Sequence, residues 1–122
     1  MVMLDDYRRG WALRYIREAR DELRTSQRTS HSLSLIVDAA RKAQAAIYYS
    51  LGEPSSVEGV VNEVSDGAIA TQSPVLRCLV DIERTLQRME HLPASTSEEA
   101  SREADEIIRI ASTIVDLLTS ED

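Results

Sequence analysis

The sequence predicts an all-α fold, an antiparallel bundle of four to five helices, on three observations. Apolar residues recur at helical spacing in successive stretches, no alternating apolar run reads as a strand, and helix-starting or helix-stopping residues bracket the stretches. The 122 residues read as one domain, 1–122, since two cores would each be so small that burial barely offsets chain entropy. With 43% hydrophobic residues and no Phe, the core must be built from Leu, Ile, Val and Ala, the packing set of helical bundles.

From Leu4 to Leu23, the residues Leu4, Trp11, Ala12, Tyr15, Ile16, Ala19 and Leu23 share one broad helical face. The polar cluster Thr25 to Ser30 then predicts a short loop with capping oxygens, so the next helix should return antiparallel. That second helix, His31 to Leu51, is apolar around most of its circumference and alanine-rich, the pattern of a helix enclosed by its neighbours. Gly52 and Pro54 predict its stop.

A third, short helix is expected from the capping-box spacing of Ser55 and Glu58, with Val57, Val60, Val61, Val64 and Ala68 inward and an end near Asp66 and Gly67. Ser73 before Pro74 predicts the start of a fourth, ending near His91, with Val75, Leu79, Ile82, Leu86 and Met89 inward. Thr96 and Glu99 form another capping box. A last helix should follow with Ala100, Ala104, Ile107, Ile108, Ala111, Ile114, Val115 and Leu118 on one stripe.

Charge is unevenly spread. The net charge is −7, but residues 1–50 hold nine basic and six acidic side chains, against five and fifteen in residues 51–122. An acidic surface repels nucleic acid, although a basic half still offers a local patch or pairs with an acidic half in an oligomer. The single Cys78 reads as a small core residue and points to a reducing, cytoplasmic setting. No stretch has the ~20 uninterrupted apolar residues of a membrane span, so no membrane association is expected. With two His and one Cys, no metal is expected and no cofactor signature is found.

One constellation carries potential chemistry. On the fourth helix Arg77, Arg84, Arg88 and His91 fall opposite the apolar stripe. Arg84 and His91 are seven residues apart, about two turns or ~10.5 Å on a helix. An Arg to hold phosphate and a His to move a proton would equip a metal-independent ribonuclease; a solvated arginine face with Asp81 pairing locally explains the same pattern. Arg77 and Arg88 are the accompanying candidates for ligand binding. On the first helix Arg17, Arg20, Arg24 and Arg28 form a second stripe, read as a solvated face or a contact with an acidic partner surface. Tyr48 and Tyr49 read as core plus rim and mark, with Arg17, Arg20 and Arg24, the candidate interface.

The segment from Asp38 to Pro54, an alanine-rich run followed by Tyr-Tyr-Ser-Leu-Gly-Glu-Pro, resembles the second helix of the HEPN domains, small helical bundles named for nucleotide binding. Ala19 to Leu23 is similar to their first helix and Thr96 to Leu118 to their last. The resemblance implies a homodimer with up-and-down topology, and ribonuclease members carry Arg, four to six residues, then His, a pattern that Arg84 and His91 fit. Thr85 departs from the strongly polar residue that commonly follows the Arg, and Pro93 closely follows the His. Arg24 and His31 show the same spacing elsewhere. Other members act without catalysis, as toxin or antitoxin components beside partner proteins or as binders of nucleotide phosphates. Three expectations follow: a HEPN-like dimer that binds a partner protein or an RNA or nucleotide ligand, a ribonuclease, or a non-catalytic structural adaptor.

Overall fold

The computed structural model describes residues 6–28, 32–67, 72–93 and 96–119. Five helices fill these segments: α1 (Asp6–Arg28), α2 (Leu33–Leu51), α3 (Pro54–Ser65), α4 (Pro74–Met89) and α5 (Ser97–Thr119). No strand occurs among the described residues, and no helix there is long and apolar enough to cross a membrane.

Helix α1 runs past the loop expected at Thr25 to Ser30, as far as Arg28. The hydroxyls explain the extension: Thr25 Oγ1 donates to the Asp21 carbonyl at 3.0 Å and Ser26 Oγ to the Leu23 carbonyl at 2.7 Å. Side chains bonded back onto their own helix give the backbone no alternative to it. Leu4 and His31 lie outside the described residues.

Helix α2 is the axis of the fold, in contact with all four other helices. Ala39, Ala40, Ala43 and Ala46 are fully buried, and their small side chains let neighbouring backbones approach closely. Gly52 ends α2 in an extended conformation, φ 176°, rather than the left-handed one common at helix ends, and its N–H still bonds the Tyr48 carbonyl. A Cβ there would meet Val57 Cγ2 at 3.5 Å, an ordinary contact.

The start of α3 corrects the expected Ser55 capping box. Pro54 takes the first helical position and Glu53 becomes the cap, its carboxylate accepting from the Ser56 backbone N–H at 3.1 Å and from the Ser55 hydroxyl. The Ser55 bond and the Ser56 amide hold the Glu53 carboxyl below its ordinary range. Only Val61 of α3 is buried; Val60, expected inward, is exposed. The helix ends before Gly67, whose φ of 82° favours glycine. Ala68 lies outside the described residues.

Ser73 caps α4 through Leu76 N–H with Pro74 in the first turn, as expected. Leu79, Ile82, Leu86 and Met89 are buried, whereas Val75, expected inward, is half exposed. At the start of α5 the Thr96 hydroxyl donates to the Pro93 carbonyl at 2.7 Å. Leu118, placed on the inward stripe, is exposed in the last turn of α5.

Specific contacts fix the helix directions. Lys42 reaches Glu22 and Glu18, and Tyr49 stacks on Trp11, so α1 and α2 are antiparallel. Arg20 bonds Ser112 and Gln27 bonds Ser101, so α5 runs against α1. Arg41 bonds Glu83 and Glu90, while Gln44 bonds Glu83, so α4 runs against α2. The start of α1, the end of α2, the start of α4 and the end of α5 therefore share one end of the bundle.

Candidate functional site

The structure gives each predicted site residue a place, and most already have a structural partner. Arg84 donates to the Ser65 carbonyl at 3.1 Å, satisfying one of the acceptors that the end of α3 leaves open. Arg88 is paired with Glu103 on α5. Asp81, expected to pair locally, has no ion pair among the described residues. His91 lies beyond the end of α4, in the turn where its backbone N–H bonds the Arg88 carbonyl. Helical spacing alone therefore does not set the place of His91 relative to Arg84, and neither residue lines the grooves at α4–α5, α2–α4 or α1–α5. Arg77 does line one, between α4 and α5.

On α1, Arg20 ties to Ser112 and Arg24 lies 3.6 Å from Asp21, while Arg17 is exposed. Tyr48 and Tyr49 divide into core and rim. Tyr48 is buried, its hydroxyl accepting from Gln44 at 3.0 Å, and burial first, then the Glu83 charge, pushes its phenol well above its usual range. A buried Tyr48 offers little to a partner, so of this pair only Tyr49 remains an interface candidate.

Three clusters stand out that sequence reasoning did not assemble. The first is polar and sits between α2 and α4. Glu83, 8% exposed, accepts from Arg41 at 2.8 Å, Gln44 at 2.7 Å and Gln87 at 2.8 Å. Arg41 also bonds Gln44 and Glu90. Burial opposes the Glu83 charge, but the bonds from Gln44, Arg41 and Gln87 outweigh it and hold the carboxyl below its ordinary value. A buried carboxylate with this many donors is a matched lock between two helices.

The second cluster surrounds Lys42, the only lysine in the chain. Its ammonium lies 3.6 Å from Glu18, 3.3 Å from Glu22 and 3.6 Å from Asp38. Glu22 Oε1 is shielded from solvent and makes no aligned hydrogen bond despite that 3.3 Å approach. Burial, then the adjacent Asp38 carboxyl, raises Glu22 to about 7.

The third cluster is aromatic. Trp11 packs against Tyr7, Tyr15 and Tyr49 with ring centroids 6.3, 5.6 and 6.2 Å apart, and Tyr15 stacks on Tyr49 at 5.7 Å. The Arg14 guanidinium lies 5.0 Å from the Trp11 ring centre, a cation–π distance. Four of the five aromatic residues thus gather at the α1–α2 surface, with Tyr7 67% exposed. The i, i+4 spacing of Tyr7, Trp11 and Tyr15 was the sequence signal for it. Leu13, Leu51, Val75, Leu117 and Leu118, also exposed, lie toward the same end of the bundle.

No His, Cys, Asp and Glu group among the described residues is arranged to hold a metal ion. Comparison with protein-family models, curated proteins and solved structures found no match.

Proposed function

We infer that the chain is a homodimeric, HEPN-like binding module, acting by association with a partner in a cytoplasmic setting rather than by catalysis. The observation that carries this reading is the aromatic and arginine cluster at one end of the bundle. Interface centres are enriched in Trp, Tyr and Arg, and a contiguous exposed apolar region on a small domain marks an interaction surface. Tyr7, Trp11, Tyr49 and Arg14 are of that type, and Tyr7, 67% exposed, opens the cluster to solvent. The resemblance around α2 supplies the expectation that the partner is a second copy.

The partner class that the resemblance implies for a further ligand is a protein or an RNA or nucleotide phosphate, with a toxin–antitoxin pairing among the roles. Engagement of Arg84 by Ser65 and of Arg88 by Glu103 favours the non-catalytic form.

Light scattering tests the association. The wild type is expected at twice the 13.6 kDa chain mass across the micromolar range. Trp11→Ala, and Tyr7→Ser as a milder surface variant, should each weaken the dimer, the former about thirtyfold, with helical circular dichroism retained. A monomeric wild type, or variants that remain as dimeric as the wild type, would count against it. The catalytic question has its own measurement: RNA incubated in EDTA with wild type, Arg84→Ala and His91→Ala is expected to stay intact. Cleavage by the wild type that both substitutions abolish would replace this reading with the ribonuclease one.

A further inference from the structure

The helices packed around α2 leave an opening between α4 and α5. Helices α4 and α5 are antiparallel, since α4 runs against α2 while α5 runs with it, and the Arg88–Glu103 pair joins them, yet their backbones make almost no close approach. Between them lies a groove of about 520 Å³. Its floor is apolar, formed by Cys78 and Ile82 on α4 and by Ile107 and Ile110 on α5. Ile82 and Ile107 are buried, while Cys78 and Ile110 remain partly open. The spacings, i to i+4 on one helix and i to i+3 on the other, lay this floor lengthwise along the groove for about one turn of each helix.

The rim is mostly acidic, with Asp81, Glu103 and Glu106 against Arg77. Asp81 has no ion pair among the described residues. Glu103 and Glu106 are held by Arg88 and Arg109, whose side chains are 58% and 69% exposed. Pairs that open are worth ~0–1 kcal/mol, so incoming cations can compete for both carboxylates.

We propose that the α4–α5 groove is a docking site for an amphipathic helix of a partner protein, one with an apolar stripe flanked by Arg or Lys. An apolar trough between two helices accepts a third helix through anchors at i, i+3, i+4 and i+7. The carboxylate rim selects basic flanks and disfavours RNA phosphate or an anionic lipid surface. The proposal names the ligand of the binding module inferred above and rests on that reading. It concerns a face different from the aromatic end, so its failure and a failure to dimerise are separate results.

Cys78 is the only thiol in the chain, so its reaction rate reports on the groove. Burial, then the Asp81 charge, pushes that thiol above its ordinary value, so labelling of the free protein should already be slow but measurable. The probe is a synthetic helical peptide of about 18 residues, five turns, with a leucine stripe and arginine flanks. It is compared with the same peptide carrying Glu flanks and with a scrambled order. Fluorescence anisotropy should show the Arg-flanked peptide binding at least about tenfold more tightly than either control, and it alone should slow Cys78 labelling. Ile110→Glu should abolish both effects, and Asp81→Arg, an exposed change that spares the core, should weaken binding several-fold; in both variants the light-scattering mass should be unchanged. Equal affinity for the three peptides, binding without Cys78 protection, or binding indifferent to both substitutions would each overturn the proposal.

Discussion

Glu83→Ala is expected to destabilise the protein by about 2 kcal/mol, because it leaves the buried Gln44 amide without its acceptor and Arg41 with Glu90 as its one remaining carboxylate. Arg41 would lose its 2.8 Å partner, and Gln44 and Gln87 would lose their acceptor. Urea denaturation should show a lower midpoint with an unchanged slope. Glu83→Gln should cost less, since it keeps one carbonyl acceptor but turns an amide donor toward the donors of its neighbours. The double change Arg41→Met with Glu83→Leu should recover much of the loss, because apolar replacement of a buried pair is often neutral. A loss below about 1 kcal/mol for Glu83→Ala would mean that the cluster is not the lock between α2 and α4. The carboxyl is held below its ordinary value in the fold. Its contribution is therefore complete above the ordinary carboxylate range and disappears as pH falls through the depressed value.

Glu22→Gln is expected to act in the opposite sense. The folded-state value of about 7 lies above the ordinary 4.5. Below 4.5 both folded and unfolded chains carry the proton and the site costs nothing. Between 4.5 and about 7 the unfolded chain releases a proton that the folded chain keeps, so stability falls as pH rises; above that the penalty is constant. The amide cannot ionise, so Glu22→Gln should raise Tm by about 5 °C or more near pH 8 and change it little near pH 4. Thermal melts of both proteins across this interval provide the measurement. An equal shift at both ends would assign the effect to packing rather than to the proton. Taken with Glu83, the prediction is a stability maximum on the acidic side of neutrality.

The architecture was legible where local chemistry and burial agree. The alanine run of α2 could only belong to an enclosed helix, and Ser73 with Pro74 marked the start of α4 because capping and fixed φ act within one turn. The end of α1 was misjudged because Ser26 and Thr25 signal a break by composition, whereas their hydroxyls bond back to Leu23 and Asp21. Glu53 was overlooked as a cap because Ser is the commoner choice and Pro54 sets the helix start two residues earlier than a Ser55 cap would.

The candidate site was harder to read, since it depends on pairings between distant helices. Glu83 lies among Leu79, Ile82 and Leu86 on the inward side of α4, and Gln44 interrupts the alanines of α2. Two polar residues on otherwise apolar faces were the available clue to a buried network, but only the antiparallel packing shows that they meet. The aromatic cluster likewise needed Tyr49 from α2 to join three residues of α1. Arg84 and Arg88 looked available in the sequence because their partners, the Ser65 carbonyl and Glu103, are 19 and 15 residues away.

The setting of Lys42 has a chemical corollary. Reagents or enzymes that acylate side-chain amines meet a single address in this protein, placed in the middle of the α1–α2 hairpin. Neutralising that nitrogen would leave the carboxylates of Glu22 and Asp38 facing one another without a counter-ion, with Arg14 still pairing Glu18. Acylation there would strain the hairpin itself rather than simply label its surface.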